Sequence, residues 1–124
     1  MNPLFIRETS DTPKVILDKQ KNIFEISGLS LPEDAIAFCR QIFNWIEEYS
    51  TNPNNPTTFN FILEYFNTAF SSQIIQILLL LEKLNTKTKV VINWHYKDID
   101  EDMKELGEKY SDIVNVQFVM MPYS

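Results

Sequence analysis

Glycine is almost missing from this chain: Gly28 and Gly107 are the only two in 124 residues. A phosphate-cradling loop of the Walker or dinucleotide kind needs several glycines close together, so neither is available. Cysteine and histidine are scarcer, one each, Cys39 and His95. A single thiol cannot form an internal disulfide, and a reducing cytoplasm is the expected compartment. A zinc site takes three or four N or S ligands, more than these two side chains supply. A serine–histidine–acid arrangement would have to use His95, and no glycine-flanked nucleophile elbow accompanies it. Basic charge is also short. Eleven Lys and Arg face 17 Asp and Glu, net −6, which lacks the footprint of a nucleic-acid or anionic-membrane binder. The longest apolar run, Ile74 to Leu84, is interrupted by Gln76 and Glu82 and is too short for a bilayer. The opening MNPLFIRETSD has no signal-peptide core. A cytoplasmic, non-catalytic protein without metal or cofactor is the expectation.

Apolar residues make up 44% of the chain, enough for one domain, 1–124, with a real core. Its organising stretch is Phe59 to Leu84. Phe59, Phe61, Leu63 and Tyr65 alternate with Asn60, Ile62, Glu64 and Phe66, which predicts a strand. The run from Ile74 to Leu84 is too long for a strand and predicts a helix. Between them lies the polar knot Asn67-Thr68-Ala69-Phe70-Ser71-Ser72. Unpaired N–H groups and the helix dipole make such a spot suit an anion. Asn, Thr and Ser are also ordinary N-cap residues, so capping alone is the competing reading.

The flanking elements follow in order. Leu4-Phe5-Ile6 predicts a short strand, Thr9 to Pro13 a break. Val15–Leu17 and Ile23–Ile26 predict a hairpin around a polar loop. Ser30-Leu31-Pro32-Glu33 matches a capping box, followed by helical spacing of Ala35, Cys39, Ile42, Ile46 and Tyr49, with Ile36 and Phe43 beside them, to about Ser50. Cys39 on that stripe reads as a buried structural thiol. Asn52–Pro56 is a loop. Lys89–Asn93 predicts a strand ending in Trp94-His95-Tyr96, a triplet that could form a ligand-binding or enzymatic patch or pack at a sheet edge. Asp98 to Glu101 resembles a second capping box before a helix burying Ile99, Met103, Leu106 and Tyr110, in which Gly107 is a weak point. Asp98, Asp100, Glu101 and Asp102 lack calcium-loop spacing and suit a dipole-favoured helix start. Val114, Val116, Phe118 and Met120 predict a last strand. The order β, β, β, α, β, α, β, α, β implies an α/β fold: a mixed β-sheet with crossover helices, parallel inside and antiparallel at one edge.

Leu63-Glu64-Tyr65-Phe66-Asn67-Thr68, the leucine-rich helix after it, the Trp94-His95-Tyr96 strand end and Thr12-Pro13 resemble the SiaC family of bacterial regulatory phosphoproteins. The resemblance spans nearly the whole chain. It implies a STAS-like domain, similar to anti-sigma-factor antagonists, working by partner switching. It implies phosphorylation of Thr68 by a kinase of histidine-kinase-like ATPase fold and removal by a PP2C-type phosphatase. It implies that the unphosphorylated form binds and activates an effector such as a diguanylate cyclase, raising cyclic di-GMP and favouring biofilm. Asn67 precedes Thr68 and Ala69 follows it, where such antagonists usually carry an acidic residue and a second hydroxyl. Asn67, Thr68, Ala69, Ser71 and Ser72 are the expected partner-binding residues.

Overall fold

Alternating apolar side chains build the sheet. The computed structural model describes residues 1–124. Strands β1 (Leu4–Ile6), β2 (Lys14–Asp18), β3 (Ile23–Ser30), β4 (Thr57–Phe66), β5 (Val90–Lys97) and β6 (Gln117–Tyr123) lie side by side in that order. β1, β2 and β3 pair antiparallel; β3 through β6 pair parallel. Helices α1 (Ala35–Tyr49), α2 (Thr68–Leu84) and α3 (Glu101–Ile113) make the three crossovers. The element order and the mixed α/β sheet are as expected.

Parallel strands added in one direction through right-handed crossovers place all three helices on one face. Burial agrees. Val15, Leu17, Phe24, Ile26, Phe59, Phe61, Val90 and Ile92 are at most 1% exposed, whereas Ile16, Glu25, Asn60, Val91 and Asn93 between them keep partial exposure. The sheet therefore has a covered face and an open one. Under α1, Phe24, Trp45 and Tyr49 pack ring on ring. Under α3, Trp94 sits among Phe61, Phe66, Tyr110 and Phe118, with centroids 5.5–6.4 Å away. Trp94 donates its Nε1–H to the Met103 carbonyl at 3.0 Å.

Several local expectations are corrected. Ser30 does not cap α1. It ends β3, fully buried, and its carbonyl accepts the Asn67 N–H at 3.0 Å. The cap is Asp34, whose Oδ1 accepts from Ala37 N at 3.0 Å. Asp98 likewise continues the β5–β6 pairing, donating its N–H to the Tyr123 carbonyl at 2.8 Å, and Asp100 caps α3. Ile99, expected on the buried face, is 86% exposed because it precedes that cap. Tyr65 leaves the alternation for a different reason. Leu63 pairs with Gly28 but Tyr65 pairs with Leu29, so Glu64 is an extra residue, a β-bulge. The bulge turns Tyr65 outward, 60% exposed, and Phe66 inward, 8% exposed. Ile36 is exposed and Trp45, not foreseen, is buried in its helix. Val114 ends α3 as a buried residue, and β6 starts only at Gln117. α2 begins at Thr68, so most of the polar knot is helical.

Candidate functional site

The head of α2 is assembled by the strand that precedes it. β4 ends on the buried ring of Phe66, and Asn67 turns the chain with extended backbone, φ −82° and ψ 171°. Asn67 is fully committed. Its Oδ1 accepts from Phe70 N at 2.9 Å, its carbonyl from Ser71 N at 3.0 Å, and its amide nitrogen lies 3.4 Å from the Pro32 carbonyl. Thr68 is the first helical residue, and with Ala69 it is exposed. The first N–H groups of a helix have no intrahelical acceptor, so Thr68 stands beside unpaired donors at the positive dipole end.

The other hydroxyls in the knot differ. Ser71 is half-buried and its Oγ lies 2.8 Å from the Tyr110 hydroxyl, tying α2 to α3. Burial pushes the Tyr110 phenol above its usual range, against a smaller lowering by the Ser71 hydrogen bond, so it stays protonated. Ser72 is exposed but lies in the second turn, where backbone N–H groups are already bonded. Among the expected residues, the structure thus brings Asn67, Thr68 and Ala69 together at one exposed corner, and assigns Ser71 to packing. Tyr110 was not foreseen in this role. It lies 39 residues from Ser71, and no local signal links them.

The Trp94-His95-Tyr96 triplet does not form one patch. Trp94 and Tyr96 face the core, 1% and 7% exposed, while His95 lies on the open face with Nε2 3.0 Å from Asn60 Oδ1. Asn60 Oδ1 also accepts from Asn93 Nδ2 at 3.1 Å. Burial lowers the His95 pKa from its ordinary 6.5, partly opposed by the negative charge of Glu25. Cys39 is fully buried, and desolvation pushes its thiol up to about 12. Asp100, Glu101 and Asp102 serve the start of α3, and no three His, Cys, Asp or Glu side chains are grouped to hold a metal ion. A cavity of about 270 Å³ opens between the end of β4 and α3, walled by Tyr65, Phe66, Met103 and Leu106 and rimmed by Glu64, Asp100 and Asp102. No helix is long and apolar enough to cross a membrane.

Fold and site together define a one-sided α/β domain whose central crossover helix opens on an exposed threonine. The chain belongs to the SiaC family of regulatory phosphoproteins, whose family model matches residues 6–123. It is 27% identical over 124 residues to an uncharacterized protein of Pseudomonas aeruginosa strain UCBPP-PA14, covering 99% of this chain and 98% of that one. Among solved structures it is similar to SiaC of Pseudomonas aeruginosa, with a TM-score of 0.89 at 27% identity over 99% of this chain and all of that one. It is equally similar, TM-score 0.89 and 27% identity over 97% and 99% of the two chains, to a chain in the crystal structure of the diguanylate cyclase SiaD in complex with its activator SiaC from Pseudomonas aeruginosa.

Proposed function

We propose that the chain is a non-catalytic cytoplasmic switch protein, phosphorylated on Thr68 and active as a binder when unphosphorylated. The observation that carries this reading is the exposed position of Thr68 as first residue of α2, while Asn67 takes the capping work and Ser71 is held by Tyr110. A kinase of histidine-kinase-like ATPase fold would add the phosphate and a PP2C-type phosphatase remove it. The effector is a diguanylate cyclase, which the chain activates by binding; similarity to an activator seen in complex with such a cyclase supports it.

The physics of the modification fits a switch that spares the fold. Phosphorylation adds about −1.5 to −2 charges at neutral pH. At a helix N-terminus an anion is favoured by roughly 0.3–1 kcal/mol, so the modified chain keeps its structure. A partner packed over Thr68 must instead desolvate the phosphate, which is costly without a matching cation. Phosphosite mapping by mass spectrometry after treatment with the cognate kinase tests the assignment. Phosphate on Thr68, absent from Thr68→Ala, is expected. Phosphate on Ser71 or Ser72 would overturn it.

A further inference from the structure

The net charge of the chain is not spread over its surface. The parallel strands β3, β4 and β5 all end at the pole that carries Thr68, and β1 runs toward it too. The segments found there are 7–13, 31–38, 64–71 and 97–104. They hold nine of the 17 carboxylates and three of the 11 basic side chains, a net of −6. The rest of the chain carries eight of each and is neutral. Most of the excess therefore gathers at one end, with Lys14, the first residue of β2, at its edge. The one ion pair in the molecule, Lys14 with Glu25 at 3.5 Å, uses none of these nine carboxylates. The same end exposes three large apolar side chains, Ile36, Tyr65 and Ile99, at 58%, 60% and 86%; Ile99 is the most exposed large hydrophobic residue in the chain. Beside Tyr65, between the end of β4 and α3, lies the 270 Å³ cavity with apolar walls and a carboxylate rim.

We propose that this pole is a docking surface for a basic protein surface, which covers Tyr65 and Ile99 and brings an arginine or lysine side chain to the cavity between β4 and α3. The inference rests on the switch reading and names the chemistry of the effector's contact surface. Charge complementarity selects that occupant: a cleft lined by one sign of charge steers an oppositely charged partner and raises association rates by about 10–10³-fold. Apolar contacts at the centre with charge at the rim are the usual anatomy of such an interface. A mechanistic consequence follows. Phosphate on Thr68 has the sign of the pole, so it does not repel a basic partner at long range. The basic side chain is placed at the β4–α3 cavity, which Thr68 does not line, so the phosphate is buried by the partner without a matching cation. The modification then weakens binding through faster dissociation, and encounter is not slowed.

Two measurements test this. The first is association kinetics of the unphosphorylated chain with its diguanylate cyclase between 50 and 300 mM NaCl. The on-rate should fall by about tenfold, and the combined Glu64→Gln, Glu101→Gln, Asp102→Asn variant should lose most of that dependence. Ile99→Asp should speed dissociation several-fold; all four side chains are exposed, and melting checks the fold. A salt-independent on-rate unaffected by these changes overturns the proposal, even where phosphorylation still switches binding. The second measurement does not involve the cyclase. An NMR titration with a short arginine–leucine peptide should shift Tyr65, Ile99 and Leu106 first, and not in the neutralised variant. Equal shifts at the lysine-bearing far end, Lys83 to Lys89, would overturn the proposal. A cyclase that fails to bind at all would count against the switch reading and leave the peptide titration to decide the surface.

Discussion

Gly107 shows how a single side chain's worth of space is used. A glycine inside a helix usually costs up to about 1 kcal/mol against alanine, so alanine looks like an improvement from the sequence. In the fold, a Cβ there would overlap Trp94 Cδ1 and lie 2.7 Å from Trp94 Nε1 and 2.8 Å from the Met120 methyl. Gly107→Ala is expected to destabilise by about 1–3 kcal/mol through overpacking, measured by denaturant unfolding; a gain in stability would contradict the packing described. Cys39 is fully buried as well. It should react slowly with a thiol reagent in the native state and fast once unfolded, since a thiol held at about 12 offers little thiolate. His95 sets a pH dependence. Its folded pKa lies below the ordinary 6.5 of the unfolded chain, so between the two values the unfolded state binds more protons and stability rises with pH. Melting temperature should therefore fall as pH drops below about 6.5, and His95→Gln should flatten that part of the profile. An unchanged slope in the variant would assign the effect elsewhere.

At the scale of elements, caps and strand ends compete for the same residues. Ser30 to Glu33 and Asp98 to Glu101 both carry capping-box spacing, yet both starting residues extend strands. Parallel pairing decides this: the Ser30 carbonyl is taken by Asn67 N and the Asp98 N–H by the Tyr123 carbonyl, contacts made across dozens of residues. Asp34→Ala should cost about 0.5–2 kcal/mol as a lost cap, and Glu33→Ala should stay within about 0.5 kcal/mol; chemical denaturation of both variants distinguishes the two. A large loss for Glu33→Ala instead would restore the capping box. Helices α1 and α2 and the hairpin were legible because their periodicity is local. The outward turn of Tyr65 was not, because the bulge at Glu64 exists only in register with Gly28 and Leu29. Asn67 was legible as a cap before α2. The Ser71–Tyr110 link was not, since only folding brings those hydroxyls within 2.8 Å.

At the scale of the molecule, the alternation of strands and helices is enough to expect a mixed sheet with crossovers. Which strand ends share a pole depends on handedness and strand order, so the gathering of negative charge around Thr68 emerges only in the assembled fold. The triplet Trp94, His95 and Tyr96 illustrates the reverse. Adjacent in sequence, its members part across the sheet, two into the core and one onto the open face, because side chains alternate along a strand. Thr68 needs neither long-range pairing nor a deep pocket. It stands where a strand hands over to a helix, exposed, with its neighbours engaged in holding the turn. Calorimetric titration of the diguanylate cyclase with unphosphorylated and Thr68-phosphorylated chain addresses that position most directly. The unphosphorylated chain and Thr68→Ala should bind alike, and the phosphorylated chain at least tenfold more weakly at unchanged melting temperature. Equal affinity of the two forms would contradict a switch at Thr68.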